Sequence, residues 1–281
     1  MTERKIPARV FAHAAQDAQT AKKTLSTPQT RSPSYRLAFQ DEEFLLRDDL
    51  RPVRFQLELL KPELLLDEAK IASTFVIYGS ARIPAPGIAS GHADPQVAKR
   101  LEALSPYYDE ARKLAQIASG IPRDEEGWRH FVVCSGGGPS IMEAANRGAH
   151  DLRADSIGLN VVLPHEQVPN SYVTPELSFQ FHYFALRKMH FLLRARGVAI
   201  FPGGFGTFDE MFELLTLIQT GKIKPIPVLL FGRAFWDEVV NFQALVDHGV
   251  IAERDLALFQ FVETAEEAWA HVRAFYETDS L

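Results

Sequence analysis

Apolar residues in this chain fall into two patterns. Short continuous runs are closed by glycine or proline, and between them lie longer stretches in which apolar positions recur every three or four residues. The first pattern predicts buried strands and the second amphipathic helices. Thr74-Phe75-Val76-Ile77-Tyr78 is the first run, ended by Gly79-Ser80. Residues 131–134, 156–163, 197–201, 224–231 and 259–262 follow, so six strands are expected. A loop rich in Pro, Gly and Ala at 83–94 leads into a helix that ends near residue 119. Further helices are expected at 140–149, at 179–196, from the glycine turn after Phe201 to about residue 220, at 235–246 and at 265–276. Strands alternating with helices imply parallel pairing with right-handed crossovers.

Upstream, Leu45, Leu46, Leu50, Leu57, Leu59, Leu60 and Leu64 to Leu66 are interleaved with charge, and Pro52 and Pro62 limit each helix to a few turns. The first forty residues carry Arg4, Lys5, Arg9, Lys22, Lys23, Arg31 and Arg36 against only Glu3 and Asp17. They read as a basic disordered arm, or as a transit peptide, without the apolar core of a secretory signal. The expected organisation is a basic arm at 1–40, a helical extension at 41–72 and an α/β domain at 73–281. That domain is a Rossmann-like doubly wound parallel sheet. The leucines of 44–66 exceed what an appendage hides, so self-association through them is expected.

Composition narrows the function. The chain has 281 residues, 46% of them hydrophobic, and a formal net charge of −6, which gives no basic field for nucleic acid. No apolar stretch approaches the ~20 residues that span a bilayer. The single cysteine, Cys134, ends an apolar run and reads as a buried strand thiol. A cytoplasmic protein with no membrane partner is expected. His182 and His190 stand eight residues apart with no third ligand nearby, so no metal site is expected.

The chemistry is concentrated in turns. Pro202-Gly203-Gly204-Phe205-Gly206-Thr207-Phe208-Asp209-Glu210 joins the strand at 197–201 to a helix. Glycines let the backbone approach a phosphate, and the unpaired N–H groups at a helix start favour its charge. Ser135-Gly136-Gly137-Gly138-Pro139 is a second candidate ligand turn, and Gly79-Ser80 a third. In an open parallel sheet such turns converge at the carboxyl ends of the strands. The chain lacks a Gly-x-Gly-x-x-Gly after its first strand and a Gly-x-x-x-x-Gly-Lys-Ser/Thr, which argues against a dinucleotide dehydrogenase or a P-loop NTPase.

Gly79-Ser80-Ala81-Arg82, residues 136–143, Arg187-Lys188-Met189 and residues 202–210 together resemble the LOG family of phosphoribohydrolases, formerly described as lysine decarboxylases. The resemblance implies a Rossmann-like fold and a homodimer or larger homo-oligomer. It also implies cleavage of the N-glycosidic bond of a nucleoside 5′-monophosphate, AMP or a cytokinin nucleotide, to free base and ribose 5-phosphate without a cofactor. It places Arg187 and Glu210 in the active site and the phosphate on Gly203, Gly204, Gly206 and Thr207. Gly79, Ser80, Gly137, Gly138 and Lys188 become further substrate-binding positions. Ala185-Leu186 stand where compact plant-type members carry an acidic residue, and the N-terminal seventy residues exceed that version, pointing to a larger bacterial-type member.

Cleavage of a ribosyl–base bond passes through an oxocarbenium-like state, which a carboxylate can stabilise while activating water. Glu210 is expected on the first helical turn, held ionised by the helix N-terminus. Its blander role is to complement the charge of that helix start. Arg187 can bind phosphate or ribose oxygens or polarise the departing base, or else form a surface ion pair. Asp209 and Glu213 read as solvated or capping groups, and Glu143 as a ribose ligand or helix-start charge. The competing class is a non-catalytic nucleotide or molybdenum-cofactor carrier on the same fold. A pyridoxal-phosphate decarboxylase needs a Schiff-base lysine with ring-binding partners, and Lys188 alone is poor support for one.

Overall fold

The computed structural model describes residues 12–164 and 168–278. Its sheet has seven strands, one more than the hydrophobic runs predict: β1 (Thr74–Tyr78), β2 (Val132–Ser135), β3 (Ile157–Val161), β4 (Ser178–Phe181), β5 (Ala195–Ile200), β6 (Val228–Phe231) and β7 (Gln260–Val262). The helices are α1 (Ala14–Ala21), α2 (Glu42–Leu45), α3 (Arg51–Glu68), α4 (Pro95–Ala103), α5 (Pro106–Ser119), α6 (Ile141–Asp151), α7 (Phe184–Leu193), α8 (Phe205–Gln219), α9 (Arg233–Val239), α10 (Phe242–Asp247) and α11 (Ala265–Thr278).

All strand pairs are parallel, in the order β4-β3-β2-β1-β5-β6-β7. The chain winds outward from β1 to β4, returns to β5 beside β1, and winds outward again. The switch point therefore lies between β1 and β5, where such sheets open a crevice at their carboxyl ends. Central β1 is buried at every position, as its unbroken apolar run requires. Phe75 and Ile77 face the core shared with α5, α6 and α11, where Phe75 meets Trp269 edge-on. On the other face Tyr78 meets Phe191 of α7 at 5.0 Å between ring centroids.

β4 corrects the expected helix at 179–196. Phe179 and Phe181 point inward while Gln180 is exposed, the alternation of an edge strand with one covered face. Two inward aromatics just before a helix give the same local pattern as a helical stripe, and α7 starts only at Phe184. The helix expected to end near residue 119 is broken at Ser105-Pro106. The one expected at 235–246 is two, the second capped by the Asn241 side chain accepting from Ala244 N at 2.9 Å.

The chain divides into two compact units, Met1–Leu57 and Glu58–Leu281, against expected boundaries at 40 and 72. In the first, residues 12–40 carry α1 and two 3-10 turns where a disordered arm is expected, and Arg4, Lys5 and Arg9 lie outside the described residues. Asp41 caps α2 by accepting from Phe44 N at 3.3 Å, and Arg54 Nη1 donates to the carbonyls of Leu45 and Arg47.

In the second unit, residues 58–68 of α3 hold both ends of α7. The Glu58 carboxylate accepts from His182 N and Tyr183 N at 2.9 and 3.2 Å, and Arg194 pairs with Glu63 and Asp67. Among the described residues no helix is long and apolar enough to cross a membrane.

Candidate active site

Three glycine-bearing turns meet at the β1/β5 switch. Phe201 N donates to Tyr78 O at 2.9 Å and Ser80 N to Pro202 O at 3.0 Å, locking the first turn to the third. Ile141 N donates to Ser80 O at 3.3 Å, which brings in the second. Packing demands glycine here. A methyl group added at Gly79 would stand 2.5 Å from Ile141 Cγ2, and one at Gly203 would stand 2.1 Å from Thr207 Oγ1.

α8 starts at Phe205 with Gly204 as its N-cap and no side-chain cap. Phe208 N closes the first turn on Gly204 O at 3.0 Å. The N–H groups of Phe205, Gly206 and Thr207 donate to nothing among the described residues. Methyl groups at Gly204 and Gly206 would meet open space, so this helix start is both unsatisfied and accessible. Thr207 is buried over Gly203, and Phe205 is 97% exposed.

Arg187 and Glu210, more than twenty residues apart in sequence, are brought together. Arg187 Nη1 lies 3.6 Å from Glu210 Oε1, and the two side chains are only 12% and 13% exposed. The guanidinium is fixed from three sides. Its Nε donates to Leu159 O at 2.7 Å, its Cζ lies 5.0 Å from the Phe191 ring centroid, and its Nη2 would be 2.7 Å from a methyl group at Gly136. Gly136 therefore leaves the space that the arginine fills.

Glu210 departs from expectation in one respect. α8 begins at Phe205, so Glu210 stands in the second turn, where the helix-end field has weakened. Burial dominates its titration, and although Arg187 pulls the other way, the carboxyl is pushed up from 4.5 to about 7. A group expected to stay ionised is thus poised to exchange a proton near neutrality. Tyr78 beside it is raised well above its ordinary value, first by burial and then by the Glu210 charge, and stays a neutral phenol. The Cys134 thiol, buried at the end of β2, is also pushed up by burial and remains protonated.

The remaining candidate residues have definite surroundings. Gly137, at φ +72°, receives a Ser135 Oγ acceptor on its N–H at 3.0 Å, and Asn170 bonds the carbonyls of Gly137 and Gly138. Lys188 Nζ is held by Asp209 and Glu213, each at 3.0 Å; Asp209 stays solvated, as expected, with 59% of its side chain exposed, and both carboxylates pair with the lysine rather than cap the helix. Glu143 accepts from Tyr108 OH at 2.9 Å.

Sequence reading missed the polar brace behind the second turn. Asn146, fully buried on α6, accepts from Ser135 Oγ at 2.7 Å and Asn170 Nδ2 at 2.9 Å, and its Nδ2 donates to Ser156 Oγ at 3.0 Å. The signal was an asparagine on the apolar stripe of α6 beside Ala144, Ala145 and Ala149. Among the described residues no group of three His, Cys, Asp or Glu side chains is placed to hold a metal ion.

A family model described as "Possible lysine decarboxylase" matches residues 142–272, a span that includes α7, Arg187 and Glu210. A pyrimidine/purine nucleotide 5′-monophosphate nucleosidase of Escherichia coli (strain K12) is 31% identical over 116 residues, 38% of this chain and 25% of that protein. The cytokinin riboside 5′-monophosphate phosphoribohydrolase LOG2 of Arabidopsis thaliana is 26% identical over 150 residues, 52% of this chain and 65% of that protein. The chain thus spans about a quarter of the first relative and under two thirds of the second. Among solved structures, a Moco carrier protein from Chlamydomonas reinhardtii covers 73% of this chain and 99% of its own, with 17% identity and a TM-score of 0.43. The family-model match and the two enzyme relatives agree with the chain's resemblance to the LOG family.

Proposed function

We propose that this chain is a nucleoside 5′-monophosphate phosphoribohydrolase. It cleaves the N-glycosidic bond of AMP or a cytokinin nucleotide by water, releasing free base and ribose 5-phosphate. The observation that carries this reading is the buried Arg187–Glu210 pair at the sheet's switch point, beside a helix start with three N–H groups unpaired among the described residues. The names of the two enzyme relatives agree with it.

In this reading the 5′-phosphate sits on the N–H groups of Phe205, Gly206 and Thr207, with no side-chain base needed to neutralise it. The anchored phosphate places the ribose over Glu210. As the bond to the base stretches, positive charge grows on the anomeric carbon and the ribose ring oxygen, and the Glu210 carboxylate stabilises it. The same carboxylate accepts a proton from the attacking water and releases it to the departing base, an exchange suited to a group titrating near 7. Arg187, its guanidinium pinned by Leu159 O and Phe191, polarises the departing base or holds a ribose oxygen.

A Schiff-base role for Lys188 fits poorly. Burial pulls its pKa down, but its bonds to Asp209 and Glu213 outweigh that and raise it, keeping the amine protonated and occupied. A carrier would need no buried carboxylate opposite an arginine, so the pair favours the hydrolase over the carrier. The partners proposed are the nucleotide and a second copy of the chain, in the cytoplasm. The test compares AMP with adenosine. Loss of the phosphate should reduce kcat/KM by about 100-fold or more, as expected for an anchoring group whose binding energy is used at the reacting bond. Equal turnover of the two would remove the phosphate site from the account.

A further inference from the structure

The opposite end of the sheet holds a second cluster of cations that the reaction above does not use. A cavity of about 240 Å³ opens at the N-terminal ends of β2 and β3, with Ser119, Arg123, Arg129, His130, Arg153 and Asp155 in its wall. Three formal positive charges face one negative. Arg129 spends Nη1 on Asp155 and Nη2 on Ala69 O, while its Nε is buried without a partner among the described residues. Ser119 Oγ is likewise buried and, among the described residues, unpartnered. Buried donors left unpaired are costly, and in native proteins they mark places where something else completes the bonds.

The backbone around this cavity is strained. Of the four non-glycine residues with positive φ among the described residues, three surround Arg129 and His130: Lys70 at 53°, Phe131 at 54° and Arg153 at 55°. Lys70 O accepts from Arg129 N, and Phe131 follows His130 directly. Arg153 closes α6, with Arg153 N on His150 O at 2.9 Å and Ala154 N on Ala149 O at 3.0 Å. Glycine normally takes that left-handed position without strain. An arginine there places an exposed guanidinium, unpaired among the described residues, at the rim of the cavity.

Two features oppose an anion: Asp155 itself, and the carbonyl ends of α5 and α6, which arrive at this end of the sheet. The three arginines and the free Ser119 hydroxyl exceed what Asp155 and two helix ends require, and the His130 ring, which faces Ser73 Oγ at 3.4 Å on its other side, is not counted among them. The His130 ring is shared with Asp124 at 3.1 Å.

We propose that this cavity binds a small phosphate-bearing anion, with Arg129 and Ser119 as its floor and Arg123 and Arg153 as its rim. The volume is below the roughly 300–1,000 Å³ typical of pockets for drug-sized ligands, which suits free phosphate or a sugar phosphate rather than a nucleotide.

Calorimetry on the full-length chain carrying Gly206→Asp tests this. That substitution enters open space at the α8 start and silences the phosphate turn by charge. Titrations with inorganic phosphate and with ribose 5-phosphate should both show saturable binding. The tighter of the two identifies the source of the phosphate group. Arg123→Ala combined with Arg153→Ala removes two exposed side chains and should weaken binding about tenfold or more. Lys222→Ala with Lys224→Ala, which removes two exposed charges elsewhere, should leave it unchanged. Absence of binding in the Gly206→Asp chain, or equal weakening by the lysine pair, would overturn the site.

Discussion

At the scale of single residues, Glu210 carries a conflict between fold and chemistry. Burial raises its carboxyl to about 7 from an ordinary 4.5. The folded state therefore holds a proton that the unfolded state releases between these two values. Stability contributed at this site is present below about 4.5 and falls as pH rises through 7, since the native state binds more protons across that window. Glu210→Gln carries no charge to desolvate. It should raise unfolding free energy by on the order of 2–3 kcal/mol at pH 8, the gain vanishing near pH 5, as read by denaturant melts at the two pH values. The same variant should lower kcat by about 100-fold or more with nucleotide affinity little changed. A stable Gln variant with normal turnover would leave Glu210 as the structural partner of Arg187 only. The catalytic role sets a second sign: kcat/KM should rise with pH through about 7, and that limb should be absent from the residual activity of the variant.

At the scale of elements, each glycine of the α8 turn makes a separate prediction. Gly203→Ala drives a methyl into Thr207 and should destabilise the fold by about 1–3 kcal/mol while weakening nucleotide binding. Gly206→Ala meets nothing and should stay within about 0.5 kcal/mol of the parent in thermal melts. A reversed order of the two would mean that the turn is not packed as described. Signals confined to one run were legible in sequence: β1 and the glycine turns, with the Arg187 and Glu210 candidates identified by family resemblance, whereas α8 starts at Phe205, earlier than a first-turn Glu210 implies. What was not legible depends on partners far along the chain. β4 is a strand because β3 and a covered face make it one, and its four residues alone do not distinguish strand from helix. The clamp of α3 on α7 joins Glu58 to His182 and Tyr183, and no local pattern announces it. The titration of Glu210 was misjudged for the same reason. Proximity to a helix start is visible in sequence, whereas enclosure by the fold is not.

At the scale of the whole molecule, exposed apolar side chains gather on the two helices that carry the site. Phe184, Met189 and Leu193 on α7 and Phe205 and Phe212 on α8 are all more than a third exposed. Such patches mark interfaces, and the occupant proposed is a second copy of the chain. Light scattering should find at least a dimer, dissociated by Phe184→Glu; a monomer at micromolar concentration would remove the idea. Leu60 and Leu64, about half exposed, leave a further contact open to the leucine-rich segment. The central claim is tested most directly by incubating the purified chain with a panel of nucleoside 5′-monophosphates and measuring free base and ribose 5-phosphate. The account predicts that both products appear in equal amounts from at least one purine monophosphate, and that Glu210→Gln nearly abolishes them. A chain that binds AMP tightly yet releases no base from any monophosphate would contradict it and leave the carrier reading in its place.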